Sequence, residues 1–164
     1  MACQWPPVIR RAQEVVKASE KVRALARELK EIISRLDPLI ETYTAKVCPT
    51  CQDVCCSQTN AYHDFADLVL LLAAGHRPPP YEHHRRLLDP CQFMGAKGCI
   101  LPRWQRPYRC TWYFCSPLVE AMEAQPPKRY RRILAQISHM QTIRRELLET
   151  LQAVLKRGLD SPLF

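Results

Sequence analysis

The chain has 164 residues, a size that suits one domain with one modest hydrophobic core. Apolar residues make up 47% and charged residues 24%, which excludes wholesale disorder and collagen-like repeats, while nine cysteines and fourteen prolines set against four glycines point away from a plain helical bundle. The net charge of +8 divides evenly, as +3 over residues 1–47, +2 over 48–118 and +3 over the remainder, so no segment concentrates the basic face that a polyanion requires.

The opening residues, MACQWPPVIRRAQEVV, lack the apolar run of a secretory signal, and the longest strongly apolar stretch, Leu68 to Ala74, spans seven residues. The expectation is a cytoplasmic protein with no membrane partner. Residues 1–47 form an N-terminal helical segment. Val8, Ala12, Val15, Ser19, Val22, Ala26, Leu29, Ile33, Leu36 and Ile40 step alternately by four and three, and nine of the ten are apolar. This is one stripe along a long amphipathic helix that begins at Pro6-Pro7. Asp37-Pro38 predicts a kink or a restart, since Asp can cap and Pro fits a first helical turn.

Residues 48–118 form the cysteine-rich centre and hold eight of the nine cysteines. The one regular helix predicted there is Asn60 to Gly75, capped by Thr59 or Asn60 and stopped by Gly75. HRPPPY then reads as an extended linker. EHHRRLL reads as a shorter helix, and CILPRW and CTWYFC as short strands.

Residues 119–164 carry a second stripe of Tyr130, Ile133, Ile137, Met140, Arg144, Leu147, Leu151 and Val154, widened by Leu134, Leu148 and Leu155. Pro126-Pro127 opens this helix and Gly158 is the predicted stop. A helix of about 28 residues spans about 42 Å, so the two stripes match in length. They can pair antiparallel within the chain, or bind a protein partner as a coiled coil; short heptads favour the internal arrangement. The fold class predicted is therefore mainly α, with two long amphipathic helices bracketing an irregular metal-binding centre that has short helices.

The chemistry lies in the cysteines. Cys48, Cys51, Cys55 and Cys56 occur as CPTCQDVCC, and Cys91, Cys99, Cys110 and Cys115 within CQFMGAKGC and RPYRCTWYFC. A C-x-x-C turn directs two sulfurs at one ion, and four thiolates suit either zinc or an iron-sulfur cluster. In a reducing compartment such spacing favours metal over disulfides. Adjacent residues point to opposite sides of an extended chain, which makes Cys55 and Cys56 awkward ligands for one ion and admits two centres. Lys97, Arg103, Arg106 and Arg109 would offset thiolate charge.

At these residues the sequence resembles the YkgJ-type cysteine-cluster family, described as zinc- or iron-chelating domains. The likeness covers about residues 48–118 and rests on the CxxC followed by a CC pair, on Gly98-Cys99, and on RPYRC with the trailing Cys115. It implies the eight cysteines as the ligand pool, with Arg106 and Pro107 shaping the turn before Cys110. The chain departs in having Gln52, Asp53 and Val54 between Cys51 and Cys55, where two residues are expected, and Thr111 where Arg often follows the cysteine.

Other candidates are weaker. His63 is either a ligand, a donor behind one, or a histidine at a helix start. Asp64 and Asp67 share a helix face but also complement the helix dipole. His83-His84 stand beside Arg85-Arg86, whose charge opposes a cation, while His76 and His139 read as structural. Lys128, Arg129, Arg131 and Arg132 read as a solvated helix start rather than a nucleic-acid site. Trp104, Tyr108, Trp112, Tyr113 and Phe114 read as packing around the second cysteine group, Cys3 receives no role, and no catalytic constellation can be singled out. The function expected is metal chelation by clustered cysteines. Its rivals are an iron-sulfur redox or electron-transfer subunit and a helical interaction scaffold with a structural zinc.

Overall fold

The computed structural model describes residues 5–51, 55–82 and 84–159. Helix α1 (Trp5–Ala18) leads into α2 (Glu20–Val47), and after the cysteine-rich centre α5 (Ser116–Glu123) and α6 (Pro127–Leu159) complete the frame. The protein is mainly α, as its stripes imply.

The first stripe is buried along its length. Ala12, Val15, Val22, Ala26, Leu29, Ile33, Leu36 and Ile40 all lie in one core cluster with Ile133, Ile137, Met140, Leu147 and Leu151 of the second stripe. The two long helices run antiparallel. Arg129 donates to Thr42 Oγ1 at 3.1 Å and stacks over the Tyr43 ring, while ten residues further along α6 His139 faces Glu28 at 3.7 Å. The stripes thus cover each other within the chain. Fully burying one such aliphatic side chain contributes about 1.5–3 kcal/mol, and the cluster holds more than twenty buried residues, so this seam is the principal source of stability.

The helix breaks fall elsewhere than the sequence suggests. Pro38 lies inside α2, and the chain restarts at Ser19, the one polar member of the stripe. Ser19 takes an extended backbone (φ −131°, ψ 112°) and its hydroxyl accepts from Val22 N–H at 3.3 Å, satisfying one of the orphan donors of the new helix. Proline deletes a single donor, and with burial on both sides of it α2 tolerates that loss. Gly158 does not stop α6, which continues to Leu159. Leu134 and Leu148 do not widen the second stripe: both are over 40% exposed, and Ile143 is buried instead.

In the centre, the predicted Asn60–Gly75 helix is shorter. A 3-10 turn over Gln58–Asn60 precedes α3 (Phe65–Ala73), whose cap is Asp64 rather than Thr59 or Asn60. Asp64 accepts from Asp67 N–H at 2.8 Å and Asp67 accepts from Asp64 N–H at 3.1 Å, a reciprocal capping box. Gly75, at φ +77°, ends this helix in the left-handed region as expected. EHHRRLL forms turns rather than a helix over its described residues; His83 lies outside them. CTWYFC yields the short helix α4 (Arg109–Trp112), not a strand, whereas Cys99 does join a two-residue strand, β2 (Gly98–Cys99), paired antiparallel with β1 (Met94–Gly95). CILPRW otherwise turns into a 3-10 segment at Arg103–Gln105.

A candidate metal centre lined by cysteines

Local turns and one long-range pairing gather the cysteines. Cys48 follows the last residue of α2, and Cys51 N–H donates to Cys48 C=O at 3.3 Å across the 3-10 turn of CPTC. Cys56 C=O accepts from Cys91 N–H at 2.9 Å, beside an isolated bridge between Ser57 and Pro90. The side chains of Gln58 and Gln92 lock this junction. Gln92 N–H donates to Gln58 Oε1 at 3.0 Å, and Gln58 Nε2 donates to Gln92 Oε1 at 3.1 Å, so the fully buried Gln58 is satisfied.

The hairpin that follows returns the chain to bring Cys99 near Cys91. Its register is Met94 opposite Cys99 and Gly95 opposite Gly98, and Ile100 N–H donates to Phe93 C=O at 2.9 Å. Gly98 sits at φ +111°, a conformation open to glycine and strained for other residues. Cys110 then enters from α4, its Sγ donating to Asn60 C=O at 3.6 Å, while Arg109 donates to Asn60 Oδ1 at 2.9 Å. Cys115 occupies the N-cap position of α5, with no capping hydrogen bond from its side chain.

The outcome is a partly open cavity of about 610 Å³ walled by Cys48, Cys55, Cys56, Cys91, Cys99, Cys110 and Cys115. Cys51 lies beside Cys48 but off the wall. The seven wall cysteines are unbridged thiols. Burial raises the pKa of Cys48, Cys56 and Cys91 above the ordinary thiol value, and pushes Cys55 and Cys110 up to about 12. After burial, the next influence on Cys48, Cys55, Cys56 and Cys110 is repulsion from neighbouring cysteine thiolates. Among the described residues no three His, Cys, Asp or Glu side chains already meet as a ligand set, so the sulfurs ring the cavity rather than converge on a point.

Basic side chains reach the same cavity. Lys97, Arg103, Arg106 and Arg109 all line it. Arg103 is almost wholly buried; its Nε donates to Asp37 Oδ1 at 3.0 Å and its Nη1 to Cys110 C=O at 3.5 Å, tying the cysteine-bearing loop to the middle of α2. Its Nη2 stands 3.7 Å from Glu41 Oε2 without hydrogen-bond geometry, so that contact is electrostatic. The sequence suggests these arginines as counter-charges but not their acidic partners: Asp37 reads there as a cap at the Pro38 break, and Glu41 carries no motif. Of the aromatic residues, Trp112, Tyr113 and Phe114 wall the cavity, while Trp104 and Tyr108 pack against the core.

His63 stands apart from the cysteines. Its Nε2–H donates to Gln105 C=O at 2.8 Å and its Nδ1 accepts from Tyr81 Oη, so both ring nitrogens are engaged. Burial lowers its pKa, and with both ring nitrogens engaged it serves as a structural cross-link. Asp64 and Asp67 are also structural. Arg144, only 3% exposed, donates to both oxygens of Asp64 at 2.6 and 2.7 Å and lies 3.0 Å from Asp67 Oδ1, an ion pair whose N–H is not aligned as a hydrogen bond. Its guanidinium also stacks over the Tyr108 ring, 4.6 Å from the centroid. Burial raises the Asp67 pKa and the Arg144 charge opposes that rise. The signal was visible as a lone arginine inside an apolar stripe. His76 packs edge-on to Trp104, and His84 is exposed.

Among the described helices, none is long and apolar enough to cross a membrane. No family model matches the chain, and neither a curated protein nor a solved structure does.

Proposed function

We propose that this protein binds a thiophilic metal, as zinc or as an iron-sulfur cluster, through Cys48, Cys51, Cys55, Cys56, Cys91, Cys99, Cys110 and Cys115, in a reducing compartment such as the cytoplasm. The observation that carries the reading is the convergence of seven thiols from two stretches of chain on one cavity. The donor chemistry fits. An all-sulfur set selects zinc or iron-sulfur chemistry over hard cations, and the repulsion among crowded thiolates is what a bound cation reverses. The resemblance of residues 48–118 to YkgJ-type domains points the same way.

Within that reading the chain's residues divide their work. The cysteines supply ligands; Lys97, Arg103, Arg106 and Arg109 reduce the net negative charge of thiolate centres; Trp112, Tyr113 and Phe114 limit water at the cavity mouth. Zinc would act as a structural clamp, and a cluster would add one-electron chemistry. The test is elemental analysis and an absorption spectrum on protein purified without oxygen. Stoichiometric zinc in a colourless sample, or iron with a brown chromophore that bleaches on reduction, is the expected result. Removal of the metal should then expose the backbone amides of residues 48–60 and 84–115 to hydrogen exchange while α2, α3 and α6, which share the apolar core, stay protected. A metal-free sample whose eight thiols all react at once in the native state defeats the proposal.

A further inference from the structure

The geometry points to two separate four-thiol centres, divided between Cys55 and Cys56: one built from Cys48, Cys51, Cys55 and Cys115, the other from Cys56, Cys91, Cys99 and Cys110. This assignment rests on the metal-binding reading above and adds the number of centres and the ligands of each.

The second set is defined by backbone pairing. The Cys56 carbonyl and the Cys91 amide are joined at 2.9 Å, so these two residues are cross-strand neighbours. Cys91 C=O accepts from Met94 N–H at 2.9 Å at the entry to the hairpin, and Cys99 lies opposite Met94 at its exit, which brings Cys91 and Cys99 to one end of the same small unit. Cys110 is fastened to that unit through Asn60, whose carbonyl its sulfur contacts and whose side chain Arg109 holds. Asn60 Nδ2 in turn donates to Cys55 C=O at 3.2 Å, fixing the chain just where the two sets part.

The first set belongs to the helical frame. Cys48 and Cys51 share one 3-10 turn at the end of α2, and Cys115 begins α5, which packs against α2. The electrostatic neighbourhoods of Cys48 and Cys110 follow this division, while those of Cys55 and Cys56 straddle it. Cys48 is influenced by Cys55, Cys115 and Cys51, and Cys110 by Cys99, Cys56 and Cys91. The sets touch at Cys56, which senses Cys48 and is hydrogen-bonded to Cys55. Cys55 and Cys56 both face the cavity and their thiols are hydrogen-bonded to each other, so the two centres would lie side by side, with Cys55 serving the helical-frame set and Cys56 the hairpin set. Four thiolates around a divalent ion leave a charge of −2, which Lys97 and Arg109 on the cavity wall partly offset, while Arg103 and Arg106 also face Asp37 and Glu41.

Zinc titration of the full-length, reduced, metal-stripped protein tests this, with cobalt as the spectroscopic probe for sulfur ligation. Two equivalents bound per chain, with thiolate-to-cobalt charge-transfer absorption rising linearly to two, is the expected result. Cys115→Ser should halve the stoichiometry, Cys91→Ser should halve it as well, and the double variant should bind none. Because a variant can fail to fold, the wild-type stoichiometry stands as an independent reading. One equivalent at saturation overturns the two-centre assignment, as does either single variant losing both ions in a protein that keeps its helical circular dichroism. No binding at all defeats the metal-binding reading itself.

Discussion

The helical frame and the cysteine-bearing centre are held by different physics. In α2 and α6 stability comes from a continuous apolar seam, whose members are interchangeable aliphatic side chains. Within residues 48–118, α3 joins that core through Ala66, Leu68, Val69 and Leu70, but the cysteine-bearing loops around it are held by discrete polar locks: the Gln58–Gln92 exchange, the Asp64–Asp67 capping box, the His63 bridge between Tyr81 and Gln105, and the Arg103 and Arg144 ion pairs. The frame is tolerant because dispersion and burial are summed over many contacts, whereas the centre fails where one partner is missing.

Alkaline titration should break this contrast most strongly. In the metal-free, reduced protein the thiols of Cys48, Cys55, Cys56, Cys91 and Cys110 all ionise with more difficulty than the ordinary thiol at 9.0, and Cys55 and Cys110 only at about 12. Between these values the folded state holds protons that the unfolded state has released, so stability falls as pH rises from just below 9 towards 12. Thermal melts across that range should lose Tm, and the loss should shrink once the cysteines are replaced by alanine, leaving the smaller part due to the partly buried Tyr108 hydroxyl, whose pKa burial also raises. A pH-independent Tm there would show that the thiols are not crowded.

Arg144→Ala sharpens the comparison at the boundary between frame and centre. It strands the buried Asp67 without its counter-charge, and an uncompensated buried ion costs about 3–5 kcal/mol. Chemical denaturation should show that loss, and Asp67→Asn in the Arg144→Ala background should recover part of it. The smallest effect belongs to the frame itself. Ser19→Ala removes the hydroxyl that caps α2 and should cost about 1 kcal/mol by the same assay, with no change at the cysteines.

The frame was readable because a stripe repeats, and repetition survives local errors. Eight of the ten members of the first stripe are buried in the core, even though the sequence directed attention to Pro38 and the true break is at Ser19. A serine's capping hydroxyl is a weaker sequence signal than a proline, yet it decides the boundary when the apolar face can bridge the proline. The cysteines were readable as a pool. Their arrangement was not, since it depends on the Cys56–Cys91 pairing across 35 residues and on a hairpin two residues per strand, too short to show alternation. Asp64 and Asp67 were correctly read as helix-start residues, but their attachment to Arg144 needed the fold, for nothing in either segment names the other.

Cys48 and Cys115 sit at ends of helices that the apolar seam already immobilises. Any guest that grips both therefore finds half of its tether prearranged: the loop between them, 66 residues by sequence number, is closed by the frame before the guest arrives, and the entropy of ring closure is spent on folding rather than on capture.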